Sequence, residues 1–178
     1  MPCLKELELS YAKALVRTPD FGGLPCLQKV TFFDCGSLEE IHPSIGSHSS
    51  LVYISIHGCP MLTRFPTIVR MEKLKILKIS DCRALLEFPK IEANMDSLEK
   101  LALRDVEIEV LPSSVGRYCT NLISLKLYNC SKLKTIEGNF HDLKRMEKFE
   151  LYGHTKLEKF PKDFFDVKCC LGELQGVW

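Results

Sequence analysis

An apolar pattern recurs every 23 or 24 residues through almost the whole of this chain, and that period constrains the fold more than any other feature. The clearest copy, LVYISIHGCPMLTRFPTIVRMEK over residues 51–73, has the apolar skeleton Leu51, Ile54, Ile56, Cys59, Leu62, Phe65 and Ile68. Ile54 and Ile56 alternate as residues on one face of a strand do. After Cys59 and Pro60 the apolar spacing widens to three, so the chain leaves the strand and turns a corner. A unit this short can bury its apolar face only against another copy of itself.

The first apolar position falls at Leu4, Leu27, Leu51, Leu74, Leu98, Leu122 and Met146, at intervals of 23, 24, 23, 24, 24 and 24 residues. The strand pairs that follow are Leu7 and Leu9, Val30 and Phe32, Ile54 and Ile56, Leu77 and Ile79, Leu101 and Leu103, Leu125 and Leu127, and Phe149 and Leu151. This period lies in the 20–29 residue range of leucine-rich repeats. The expected fold is therefore α/β, a leucine-rich-repeat solenoid with a parallel β-sheet on the concave face and irregular or short helical turns on the convex face. Residues 1–168 are expected to form that domain as about seven repeats, and residues 169–178 an atypical tail or truncated eighth repeat.

Eight residues into each repeat stand Ala12, Cys35, Cys59, Cys82, Val106, Cys130 and His154. Leucine-rich repeats keep an Asn or Cys here, whose buried side chain donates to carbonyls of the turn, so Cys35, Cys59, Cys82 and Cys130 are expected to form a structural ladder. Beyond it come Leu38, Leu62, Leu85, Leu133 and Leu157, then Ile41, Phe65, Phe88, Ile136 and Phe160, with Pro66, Pro89 and Pro161 discouraging a long outer helix. The fifth repeat departs from the pattern. It places Val106, Ile108 and Leu111 at a more apolar corner and Ser113, Ser114 and Gly116 in an expected tight turn around Val115. In the tail, Phe164 is expected to fill an inner position, with Leu171 and Leu174 opening a late eighth unit before Gly176 and Trp178.

Charge and cysteine usage narrow the function. Lys+Arg 24 against Asp+Glu 23 gives a formal net charge of +1, so no global field draws the chain to nucleic acid or an anionic membrane. No run of 18 apolar residues occurs, and the amino terminus MPCLKELELSYAK lacks the apolar stretch of a signal peptide. The chain reads as soluble and not exported, starting inside a repeat as a fragment of something larger would. Nine cysteines, an odd number with several at one repeat position, suggest reduced structural thiols, and without a CxxC or HExxH a zinc site is not expected. Cys169 and Cys170 receive no role.

Candidate binding residues follow from the strand pleat, because residues between the buried ones point to the concave surface. The first ladder is Glu6, Lys29, Tyr53, Ile76, Lys100, Ser124 and Lys148, and the second Glu8, Thr31, Ser55, Lys78, Ala102, Lys126 and Glu150. The third is Ser10, Phe33, His57, Ser80, Arg104, Tyr128 and Tyr152. Lys29, Phe33, Tyr53, His57, Lys78, Lys100, Arg104, Lys126, Tyr128, Lys148 and Tyr152 are the candidates for contact with a protein, since aromatics and arginine are enriched at binding hot spots. A merely solvated strand face is the competing reading. For the basic stripe Lys78, Lys100, Arg104, Lys126 and Lys148, interspersed acids and the neutral balance favour a solvated face over a grip on phosphates. His42, His48, His57, His141 and His154 stand in no catalytic spacing, so no catalytic, cofactor or metal residue is expected. The sequon Asn129-Cys130-Ser131 is read as chance, because Cys130 belongs to the buried ladder.

Arg17-Thr18-Pro19-Asp20-Phe21, the segment Leu38 to Gly46 (LEEIHPSIG), the recurring LxxLxLxxCxxLxxFP and Leu111 to Gly116 (LPSSVG) carry a further resemblance. Over roughly residues 1–165 they resemble the leucine-rich-repeat region of plant intracellular immune receptors, the nucleotide-binding leucine-rich-repeat family, and within it the TIR-bearing class. The resemblance implies a regulatory recognition module of a disease resistance protein, acting in effector sensing and defence signalling. It implies protein partners: a pathogen effector or a guarded host protein, and the nucleotide-binding domain of a full-length parent. It implies no nucleic acid or membrane partner, and a cytoplasmic location with the nucleus as a second one. No GxxxxGK[ST] occurs, so the family's nucleotide binding and NAD cleavage attach to no residue of this chain. The rival is a secreted or membrane-receptor ectodomain binding a protein or peptide, which would want LxGxIP units, flanking cysteine pairs and many sequons.

Overall fold

Each repeat forms one coil whose strand carries two inward apolar side chains. In the computed structural model, which describes residues 3–161, the strands are β1 (Glu6–Ser10), β2 (Lys29–Phe33), β3 (Tyr53–His57), β4 (Ile76–Ser80) and β5 (Lys100–Arg104). Two short strands, β6 (Val110–Leu111) and β8 (Thr135–Ile136), are interleaved with β7 (Ser124–Tyr128) and β9 (Lys148–Tyr152). Among the described residues the main sheet has seven strands in the order β1-β2-β3-β4-β5-β7-β9, every neighbour parallel and in unbroken register. Each strand begins two residues after the first apolar position of its repeat. The architecture is the α/β solenoid expected from the period.

The core runs the length of the stack as rows of equivalent residues. Val30, Ile54, Leu77, Leu101 and Leu125 are fully buried, as are Phe32, Ile56, Ile79 and Leu127. Burying one such side chain is worth about 1.5–3 kcal/mol, and each row extends only as far as its neighbours do, so coils stabilise one another in series. In β1, at the end of the sheet, Leu7 and Leu9 are only partly buried.

A left-handed residue follows every strand of the main sheet. φ is 55° at Tyr11, 50° at Asp34, 55° at Asp81, 50° at Asp105 and 52° at Asn129, and glycine takes the position with φ 66° at Gly58 and 77° at Gly153. Asp, Asn and Gly are the residues that enter this region at least cost. Tyr11 is the exception, and its ring meets Phe33 edge-on at 5.4 Å.

On the far side of the coils a second, discontinuous parallel ladder forms. Arg17 bridges to Glu40 and Glu40 to Arg64, and further along β6 pairs with β8 and Thr135 with Lys159. The segments Arg17–Phe21 and Leu38–Gly46 dock on each other here. The His42 amide donates to Thr18 Oγ1 at 2.8 Å, and the Phe21 amide to Ser44 Oγ at 2.9 Å. Pro43–Ser47 makes a 3-10 turn, and Gly46 within it packs so closely on the next coil that a Cβ would overlap the Thr67 carbonyl oxygen.

The fifth repeat differs from its expectation. Ser113, Ser114 and Gly116 do not make a tight turn but open a five-residue helix, α1 (Ser114–Tyr118), with Val115 and Gly116 buried. Gly116 allows it, because its bare Cα faces the Asn139 carbonyl of the following coil. Val106, Ile108 and Leu111 are fully buried, giving the apolar corner its place. Expectations placed on Phe164, Cys169, Cys170, Leu171, Leu174, Gly176, Trp178 and the 169–178 tail lie outside the described residues.

Candidate functional site

The parallel register turns the outward strand residues into three straight rows. Lys29, Tyr53, Ile76, Lys100, Ser124 and Lys148 lie side by side, as do Thr31, Ser55, Lys78, Ala102, Lys126 and Glu150, and Phe33, His57, Ser80, Arg104, Tyr128 and Tyr152. Lys78, Lys100, Arg104, Lys148 and Tyr152 are exposed, whereas Lys29, Phe33, Tyr53, His57, Lys126 and Tyr128 are half-buried. Ser124 is buried between Lys100 and Lys148 in register.

Aromatic contacts concentrate on β1 to β3. The His57 ring stacks on Phe33 with centroids 5.0 Å apart and planes 24° off parallel. His57 Nδ1 lies 2.9 Å from Ser80 Oγ and 3.1 Å from Asp81 Oδ2, so the ring is held from the next strand. Lys78 Nζ sits 5.7 Å from the centroid of the Tyr53 ring, a cation–π distance.

The acids of the face gather at its two ends. Glu6 pairs with Lys29 at 3.1 Å and raises the pKa of that lysine, chiefly through their hydrogen bond. At the other end Glu150 is a hub. It takes Lys126 at 3.1 Å and Lys148 at 2.5 Å, and accepts a hydrogen bond from the Tyr128 hydroxyl. Arg104 Nε reaches Asp105 Oδ2 at 3.0 Å, at the turn below its own strand. Lys100 has no acid within ion-pair distance among the described residues.

Beneath the rows, Cys35, Cys59, Cys82 and Cys130 are fully buried. Their thiols lie near strand-end carbonyls: Cys82 Sγ is 3.2 Å from the Ser80 oxygen and Cys130 Sγ 3.5 Å from that of Tyr128. Burial pushes the Cys130 thiol up to about 12. The Cys82 thiol is also pushed up, first by its hydrogen bond with Cys59 and then by burial. All cysteines among the described residues are free thiols, with Cys3 and Cys26 exposed.

His42 and His48 hold the chain locally. His42 caps the Pro43–Ser47 turn, with Nδ1 3.3 Å from the Ser44 amide, and buried His48 reaches the Leu24 carbonyl at 3.0 Å. No cluster of three or more metal-donor side chains occurs among the described residues. The left-handed position ahead of the cysteine ladder escaped the sequence reading, although Asp34, Gly58, Asp81, Asp105, Asn129 and Gly153 were its signal.

Rows of strand-end residues over a buried thiol ladder, repeated at one register, define a leucine-rich-repeat protein. The leucine-rich repeat domain of the type III effector XopL superposes with a TM-score of 0.59 at 22% identity, covering 94% of this chain and 74% of that one. No family model matches the sequence. TMV resistance protein N of Nicotiana glutinosa is 34% identical over 167 residues, which is 94% of this chain and 14% of that protein. Protein SUPPRESSOR OF npr1-1, CONSTITUTIVE 1 of Arabidopsis thaliana is 35% identical over 127 residues, 71% of this chain and 8% of the relative. Disease resistance protein RPP2A of the same plant is 30% identical over 131 residues, 74% of this chain and 10% of the relative. The chain belongs with the leucine-rich-repeat regions of the TIR nucleotide-binding disease resistance proteins of plants, and it spans a small part of their length.

Proposed function

We propose that this chain is a protein-recognition and regulatory module of a plant immune receptor, sensing a pathogen effector or a guarded host protein and contacting the receptor's own nucleotide-binding domain. The supporting observation is the outward face of the seven-stranded sheet, where Tyr53 shares a row with Lys100, Phe33, Tyr128 and Tyr152 share a row with Arg104, and Lys78 sits over the Tyr53 ring. Aromatic anchors among cations on a rigid sheet suit a protein surface, because rigid side chains lose little entropy on contact. The module performs no reaction; it binds in the cytoplasm, with the nucleus as a second location. No helix among the described residues is long and apolar enough to cross a membrane.

Photo-crosslinking tests this reading in a full-length receptor carrying these repeats. A photoreactive amino acid at Tyr53 or Tyr152 should give adducts with the elicitor, the guarded protein or the nucleotide-binding domain, and one at Met61 or Val69 should not. Met61 and Val69 are exposed apolar residues outside the strands, at 49% and 48% accessibility, so they report on the other surface. Adducts only from Met61 or Val69 would contradict the proposal.

A further inference from the structure

At the middle of the face one small residue has basic residues at all four adjacent positions. Ala102 has Lys78 beside it on β4 and Lys126 beside it on β7, with Lys100 and Arg104 two residues away on its own strand β5. The flanking strands lie about 4.8 Å away, and the same-strand neighbours roughly 6.6 Å along the chain, both on the same face. All four orthogonal neighbours of Ala102 are thus cations, and the corners of the grid are Ile76, Ser80, Ser124 and Tyr128. No acid stands in these nine positions.

We propose that this cup receives a single aspartate or glutamate of a protein partner, seated over the Ala102 methyl; the inference rests on the recognition role proposed above. Charge complementarity carries it. Arg104 and Lys126 each keep one acid partner, at Asp105 and Glu150, both outside the grid. Among the described residues Lys78 meets the Tyr53 ring but no acid, and Lys100 has no acid partner. Ala102 is half-buried and short, leaving the floor open. The grid is three strands wide, about 10 Å, which suits one carboxylate. A long polyanion such as a nucleic acid would run on to Glu150 at one end and to Glu6 and Glu8 at the other, and be repelled. Ile76 and Tyr128 at opposite corners favour apolar residues flanking the acid.

The test is an NMR titration of the labelled 178-residue chain with the peptide Gly-Ser-Val-Glu-Val-Ser-Gly and with its glutamine analogue, both blocked at their ends, resolving Kd to about 1 mM. The Ala102 methyl resonance should move and saturate with the glutamate peptide and stay still with the glutamine one. Lys78→Gln with Lys100→Gln should weaken binding about tenfold or more, Ala102→Glu should abolish it, and Lys73→Gln, at an exposed turn lysine, should leave it unchanged. The amide spectrum of each variant establishes that it is folded. A still Ala102 methyl, equal response to both peptides, full binding by the double variant, or displacement of the peptide by a short DNA duplex would overturn the proposal. If the crosslinks at Tyr53 and Tyr152 persist in that event, only the acidic partner falls and the recognition face stands.

Discussion

His154 Nε2 lies 2.9 Å from the carbonyl oxygen of Leu127, in the coil before its own, while its Nδ1 lies 3.2 Å from that of Cys130. Cys35 Sγ stands in the same relation to the first coil, 3.4 Å from the oxygen of Leu9, the residue equivalent to Leu127. At Cys35 and His154 this repeat position therefore holds a group that reaches back to the preceding coil, once as thiol and once as imidazole, whereas Ala12 and Val106 offer no such side chain. His154→Ala should lose about 1–2 kcal/mol in urea denaturation, and His154→Asn, which retains a donor, should recover part of that. Equal stability of the Ala variant and the parent would mean that the contact contributes nothing.

The turn ahead of that position gives a second prediction. Asn129 has φ 52° and is exposed, so its side chain can be exchanged with little effect on the core. Asn129→Gly should be near neutral, and Asn129→Val should cost about 1–2 kcal/mol because a β-branched residue is strained in the left-handed region. A thermal melt of the two variants separates them.

How much of this was legible in the sequence depends on the residue's neighbours. Strands, corner and thiol ladder could be read because Leu51, Ile54, Ile56 and Cys59 recur at equivalent positions, and a periodic chain can pack only in register. The α1 helix could not, because the close approach of Gly116 to the Asn139 carbonyl one coil later, like that of Gly46 to the Thr67 carbonyl, shows only once the coils are stacked. The concave candidates were legible as residue types on one side of each strand. Which cations are already paired was not, since Glu150 reaches Lys126 on the neighbouring strand as well as Lys148 on its own, whereas composition shows only balance.

A third prediction concerns alkaline pH. Burial pushes the thiols of Cys119 and Cys130 up to about 12. A protonated thiol is neutral, so the folded chain keeps these protons while the unfolded chain releases them near its ordinary value of about 8.5. Their contribution to stability is complete below that pH and is lost as pH rises toward about 12. Each should cost on the order of 1–2 kcal/mol by about pH 10. Urea midpoints should fall between neutral pH and pH about 10, and fall less in Cys119→Ala than in the parent. An identical fall in both would show that this thiol ionises alike in the two states.

The recognition proposed for this chain belongs to the sheet face at β5 and β7. Arg104 is exposed and Tyr128 half-buried, its hydroxyl held by Glu150, so the pair can be removed with only modest loss of stability. Leu103→Ala, one residue from Arg104 but buried, is the stability control and should cost about 2–5 kcal/mol through the cavity it leaves. The most direct measurement is partner affinity and elicitor response of a full-length receptor carrying Arg104→Ala with Tyr128→Ala, at accumulation matched to the parent. Binding should weaken by roughly 2 kcal/mol or more and the response should be lost. Normal binding and a normal response would contradict it and move recognition off this face.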